Sequence, residues 1–391
     1  AVIRRSEHIH PRPKSRAQVR ALESRGDGVK GRAGDQARAA DGEKAWGEGG
    51  GGVPTVSISE PKIKLRRFVQ FKGAAMSRYV FGPVPSRRLG RSLGVDLVPL
   101  KTCSYDCIYC QLGRTTCKTV ERKEWVPLDA VVAEVRRKLA ARPDYITLAG
   151  SGEPTLFSRV DQLIDRIKAI TDIPVAVLTN GSLLWQEEVR RQVAHADLVI
   201  PSLDAGGEEL FHLVNRPHEG LSFRKLLAGL IAFRRTFRRQ YWLEVFVLSA
   251  YTVFDEELNA LRKCIELIEP DRVQLNTVTR PPAEPYAIGL SPQRMAEIAR
   301  RFDPPAEVIA EYRAGPDAAE SPAGCDEILD LLRRRPCTTA DIADGLGMHR
   351  NEVLKCLDRL VSKELVASER VENALYYRAA RGAEGFAPRD A

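Results

Sequence analysis

No apolar run in this 391-residue sequence approaches the roughly 18 residues that a membrane-crossing helix needs, so nothing in it reads as a transmembrane segment. Methionine is scarce, at three residues, and cysteine is missing altogether from the first 102 positions, which excludes a disulfide framework or a thiolate metal site there. The first 75 residues also lack any sustained apolar period, yet they hold 11 of the 29 glycines and the run GEGGGGVP. Such a stretch cannot bury enough surface to offset its ordering entropy, and disorder is expected. It carries 16 Lys and Arg against 8 Asp and Glu, leaving 44 of each sign for the remainder, so the formal charge of +8 lies entirely in this extension. KIKLRRF at 62–68 would suit an anionic contact. Met76, however, opens MSRYVFGPVPSRRLG, where folded texture begins, so residues 1–75 are also readable as translated upstream sequence. With no apolar signal core, the protein is expected to be cytoplasmic.

What is present from residue 76 to 302 is an alternation of short β-branched runs with amphipathic segments of helical period. Strands are expected at 93–98, 145–150, 174–180, 197–203, 242–248 and 272–278, each followed by a helix. This α/β pattern predicts a parallel sheet with right-handed crossovers, either barrel-like or doubly wound, with functional residues in loops after the strands' C-terminal ends.

The first of those loops holds Cys103, Cys107 and Cys110, in PLKTCSYDCIYCQLG. A structural zinc site would need a fourth ligand, such as Cys117. The spacing of three and then two residues, with Tyr109 before the last cysteine, fits an iron–sulfur cluster with one iron left open to another ligand.

Taken with the following loops, this resembles the radical S-adenosylmethionine (radical SAM) superfamily. AGSGEPTL after the second strand is similar to that family's Gly-Gly-Glu-Pro motif, with Ser151 in place of the first glycine. Gly152 would let the backbone approach the methionine moiety, and Glu153 would accept a hydrogen bond from its amino group. Asn180 ends the third strand, and Ser202 and Asp204 after the fourth resemble the ribose-binding polar pair. The resemblance implies a partial (βα)6 TIM-type barrel, a [4Fe-4S] cluster on the three cysteines, S-adenosylmethionine on the open iron, and Tyr109 against the adenine. It also implies reductive cleavage to a 5′-deoxyadenosyl radical that abstracts hydrogen from a substrate, and an external electron donor such as flavodoxin or ferredoxin.

Arg87, Arg88, Arg216 and Arg280, from FGPVPSRRLGRS, NRPHEG and NTVTRPPAEP, would place guanidinium groups near the barrel mouth and suit phosphate or carboxylate. These stretches resemble iron–sulfur oxidoreductases near the wyosine tRNA-base synthases, which suggests an RNA base as substrate. A second N-terminal cysteine cluster, which the archaeal synthases carry, is missing.

After a Pro/Ala/Gly-rich linker at 303–324, residues 325–391 read as three helices and an alternating tail, resembling a winged helix-turn-helix with 349–361 in the recognition position. Their 11 basic and 12 acidic side chains argue against a DNA-binding surface, although Arg333, Arg334, Arg335, Arg350, Lys355 and Arg359 would offer a local basic face. Two function classes follow: a radical SAM enzyme whose C-terminal unit recruits an RNA or peptide substrate, or a DNA-binding regulator whose cluster senses iron or redox state.

Overall fold

A computed structural model describes residues 78–309, 324–371 and 374–380. The extension 1–75 and most of the 303–324 linker lie outside the described residues. In chain order, β1 (Val80–Ser86) and β2 (Gly90–Val95) form a hairpin, and β3 (Thr102–Cys103) pairs with β4 (Cys117–Lys118) inside the next loop. Then follow α1 (Leu128–Lys138), β5 (Tyr145–Leu148), α2 (Val160–Lys168), β6 (Val175–Thr179), α3 (Glu187–Val193), β7 (Leu198–Pro201), α4 (Glu208–Asn215) and α5 (Phe223–Thr236). The sheet is completed by β8 (Gln240–Val247), α6 (Asp255–Ile268), β9 (Arg272–Thr277), α7 (Pro292–Ala299) and β10 (Glu307–Val308). Last come α8 (Cys325–Arg334), α9 (Thr339–Leu346), α10 (Arg350–Ser362) and the hairpin β11 (Val366–Val371) and β12 (Ala374–Ala379).

The fold is mixed α/β. The six expected strands are β2 and β5 to β9, all parallel neighbours, with β1 added antiparallel at one edge and β10 parallel at the other. Two elements escape the periodicity. In β1, VFGPVPS, a glycine and two prolines interrupt the apolar pattern; its start is held by the buried Glu134 carboxylate of α1, which accepts from the backbone N–H of Arg78, Tyr79 and Val80 at 2.8–3.0 Å. The second is α4, EELFHLVN, whose buried side is Phe211, Val214 and the polar Asn215. Serines cap α5 and α7, where Ser222 and Ser291 accept from the N–H of Lys225 and Arg294.

Strand alternation assigns the two faces of the sheet. Val175, Val177, Val199, Leu243, Val245 and Leu275 join helix residues such as Ile164, Val189, Phe233 and Leu261 in the main core. Their strand neighbours Leu178, Ile200, Glu244, Phe246 and Asn276 line one cavity, so the sheet is concave on that side.

The C-terminal helices build a second core from Ile328, Leu332, Ile342, Leu346, Val353 and Leu357, joined by Val84 of β1. The Arg334 guanidinium lies 4.6 Å from the Phe81 ring centroid, and its Nε donates to Asp96 Oδ2 at 2.7 Å. Tyr376 of β12 donates to the Thr279 carbonyl beyond β9 at 2.9 Å. The C-terminal unit thus reaches from the β1 edge to the loop after β9. A disulfide between Cys325 and Cys356 ties α8 to α10. No helix among the described residues is long and apolar enough to cross a membrane.

Candidate functional site

Burial of apolar side chains fixes the cysteine loop. Ile108 packs with Val214, Phe246 and Leu248, and Tyr105 meets the Phe211 ring edge-on at 5.4 Å. Backbone bonds from Ile108 N–H to Val214 O and from His218 N–H to Ser104 O fasten the loop to the C-terminal end of α4. Asp106 closes it, accepting from Thr115 N–H at 2.7 Å and Arg114 Nε at 2.9 Å.

Cys103, Cys107 and Cys110 all line one cavity of about 680 Å³, together with Tyr109, Gly152, Glu153, Asn180 and Ser202. Asn180 Nδ2 stands 3.6 Å from Cys103 Sγ, and Asn215 Nδ2 stands 3.5 Å from Cys107 Sγ. Burial, reinforced by the Glu153 carboxylate, pushes the Cys103 thiol up to about 12; burial and then Asp204 push Cys107 well above its ordinary value, and burial raises Cys110. Three such thiols ionise only if positive charge is brought among them, as a cationic iron–sulfide core does. Among the described residues no three His, Cys, Asp or Glu side chains converge on a point where one ion would sit, and Cys117 is exposed. A tetrahedral zinc draws its sulfurs around a single atom, whereas thiolates on a four-iron cube each bind a different iron, so the donor set fits the cluster.

The Gly152–Glu153 loop lies directly against the cysteine loop. A Cβ on Gly152 would fall 1.8 Å from the Thr102 carbonyl oxygen, so this approach requires glycine. Ser151, in the place of the motif's first glycine, donates from its hydroxyl and N–H to Asp96 Oδ1 at 2.8 and 2.9 Å. Glu153 is buried and its Oε1 accepts from Thr155 N–H, the Thr155 hydroxyl and the Thr179 hydroxyl, while Oε2 accepts from Asn180 N–H at 2.8 Å. Burial raises its pKa against these bonds, and Oε2 keeps one lone-pair direction for a ligand donor.

The pair expected from the fourth strand is divided. Ser202 is on the cavity wall, but Asp204 is not; its carboxylate lies behind the wall, accepting from the Tyr109 hydroxyl, from Asn215 Nδ2 at 2.7 Å and from Phe246 N–H at 3.0 Å. Burial lifts it to about 6. The Tyr109 ring is stacked on Phe246 with centroids 3.8 Å apart, so Asp204 positions Tyr109. Asn215, within the NRPHEG stretch singled out for its polarity, went unassigned, because its sulfur partner is 108 residues away.

The four arginines separate as well. Arg216 pairs with Glu284 at 2.6 Å and Arg88 with Glu244, while Arg87 and Arg280 line the cavity. The expected basic face on the C-terminal unit does not form from all six residues. Arg333 pairs with Asp330 and Arg334 with Asp96, and Arg334 and Arg335 line the cavity; Lys355 pairs with Glu352, leaving Arg350 and Arg359 exposed. The packing of α8 on β1 turns that arginine run inward.

The Radical SAM superfamily profile matches residues 97–276. A protein named GTPase Obg from Brachyspira hyodysenteriae is 40% identical over 311 residues, covering 78% of this chain; the chain spans 46% of that protein's length, about half. A UPF0026 protein from Helicobacter pylori strain J99 is 30% identical over 304 residues, covering 76% of this chain and 96% of the relative. Among solved structures, a radical SAM methyltransferase from Sphaerobacter thermophilus aligns with TM-score 0.43 at 17% identity, over 57% of this chain and 67% of that one.

Proposed function

We propose a reaction for a chain that belongs to the UPF0026 family and is an enzyme of the radical SAM class: hydrogen abstraction from a substrate held in the cavity between the sheet and the C-terminal unit. The cofactors of this class are a [4Fe-4S] cluster and S-adenosylmethionine. Held together in this cavity, the two would supply one-electron reductive cleavage of a sulfonium, the chemistry that hydrogen-atom abstraction requires. Cys103, Cys107 and Cys110 would hold the cluster, and Asn180 and Asn215, which donate to two of the sulfurs, would fix their orientation and lower the cost of their charge. Glu153 would receive the cofactor's ammonium, Gly152 would let it approach, and Ser202 would contact its sugar. Tyr109, held by Asp204, forms the wall beside the adenine. An external flavodoxin or ferredoxin supplies the electron.

The observation that carries this reading is the placement of three half-buried thiols in one cavity with Asn180, Gly152 and Glu153, with the Asn215 amide 3.5 Å from Cys107 Sγ. Residues 325–391 are read as a winged helix used as an accessory: their inward arginines suit a wall for an RNA or peptide substrate, with an RNA base favoured by the likeness to the wyosine group. A regulator would need the basic face that α8 turns inward. The test is electron paramagnetic resonance of the reduced, anaerobically reconstituted protein. S-adenosylmethionine should change the cluster spectrum, and a spectrum indifferent to it would refute an open iron.

A further inference from the structure

The cavity has a second polar end, where the β1–β2 turn, the loop after β9 and the C-terminal unit meet. Five arginines line it, and their partners divide them. Arg88 is matched by Glu244 and Arg334 by Asp96. Arg87 makes no hydrogen bond or ion pair among the described residues. Arg280 reaches Asp341 and Gln111 only at 3.5 Å, and its buried Nε–H has no acceptor. The buried Nε–H of Arg335 also has none. Nearby carboxylates only partly offset this trio: Glu244 is taken by Arg88, and Asp341 keeps Oδ1 for Arg280 at 3.5 Å while its Oδ2 accepts from the hydroxyl and N–H of Thr338. Burial and then the charge of Arg280 hold Arg87 down at about 10 against the pull of Glu244, and burial with Arg280 lowers Arg335 against the Cys337 thiol and Asp341.

Buried donors without acceptors and clustered guanidinium groups with too few counter-charges are costly, and both occur at one place: one carboxylate, Asp341, faces three guanidinium groups. The trio spans two distant parts of the chain, so it exists only when the C-terminal unit is docked. Three guanidinium groups approaching from different elements suit a tetrahedral oxyanion with three acceptor oxygens better than a flat carboxylate, which one guanidinium can satisfy.

We infer that Arg87, Arg280 and Arg335 form a phosphate subsite of the substrate cavity, so that the substrate carries a phosphate group. This deepens the substrate reading above and rests on it, but the subsite itself requires neither cluster nor cofactor. The phosphate belongs to a terminal monoester or to a nucleic-acid diester, and the shared chemistry is an oxyanion clasped by guanidinium donors.

Calorimetric titration of the full chain with inorganic phosphate, a nucleoside 5′-monophosphate and a dinucleoside phosphodiester tests the assignment, with chloride at matched ionic strength. Phosphate should bind and raise the thermal midpoint. Arg87→Gln and Arg335→Gln should each weaken it at least tenfold, while Arg216→Gln leaves it unchanged. Monoester binding alone assigns a terminal phosphate; diester binding as well assigns a nucleic-acid backbone. If Arg335→Gln does not fold, Arg87→Gln decides. No binding by the wild type, full binding by folded Arg87→Gln, or displacement of phosphate by S-adenosylmethionine would each overturn the subsite. Intact phosphate binding without cofactor cleavage would instead remove the radical reading and leave the subsite standing.

Discussion

Around the three thiols, Asn180, Asn215, Glu153 and Asp204 each have hydrogen-bond partners within the chain, whereas two of the three arginines at the other end bury an Nε–H with nothing to receive it. The thiol end is preorganised at these four side chains, with the buried Tyr105 hydroxyl beside them left without a partner; the arginine end gathers like charges and is complete only with an anion. On the function proposed above, the difference is that between a cofactor cradle assembled from loops at one end of the sheet and a substrate cradle that also needs the C-terminal unit.

The strongest way to break this contrast is at the thiols. Alanine at Cys103, Cys107 or Cys110 should abolish iron retention in reconstituted protein, while Cys264→Ala, a buried thiol of α6 in the main core, should retain full iron by colorimetric assay. Next is the joint between the two ends. Asp96→Ala leaves Arg334 buried without its partner, and the pair is about one-tenth exposed on each side, so chemical denaturation should show a loss of about 3 kcal/mol. Substrate turnover should fall along with it, because the C-terminal wall depends on that joint.

Asn215→Ala should weaken iron retention or activity by about tenfold or more, the usual cost of removing a group that orients a metal ligand. It should also shift the cluster potential measured by redox titration, which a merely structural role would leave alone. The smallest effect is at Asp204. Its folded pKa of about 6 lies above the ordinary carboxylate value, so the folded state holds the proton more tightly. That stabilisation is complete below the unfolded pKa and is lost as pH rises through about 6. Cluster-free protein should gain about 1 kcal/mol more between pH 7 and pH 5 than Asp204→Asn does, the remaining gain coming from carboxylates such as Glu153 that burial also raises.

Much of the thiol end was legible in the sequence because its parts are local: each motif sits at the end of one strand, and period-two alternation reveals the strands. Cys103, Gly152, Glu153 and Asn180 line one cavity for that reason. Residue order gives no sign that Tyr109, Asn215 and the Phe246 amide enclose the Asp204 carboxylate. Arg335 was assigned to an outer basic face, since a run of three arginines at a helix end looks solvent-exposed until Val84 and Phe81 are seen packed against that unit. β1 was hidden by its glycine and prolines, and its role comes from Glu134, more than 50 residues away.

The most direct test of the central claim is chromatographic detection of 5′-deoxyadenosine from full-length, anaerobically reconstituted protein given S-adenosylmethionine and a strong one-electron reductant. The account predicts 5′-deoxyadenosine and methionine in equal amounts, absent with Cys107→Ala. Iron-loaded, folded protein that forms neither product would contradict it.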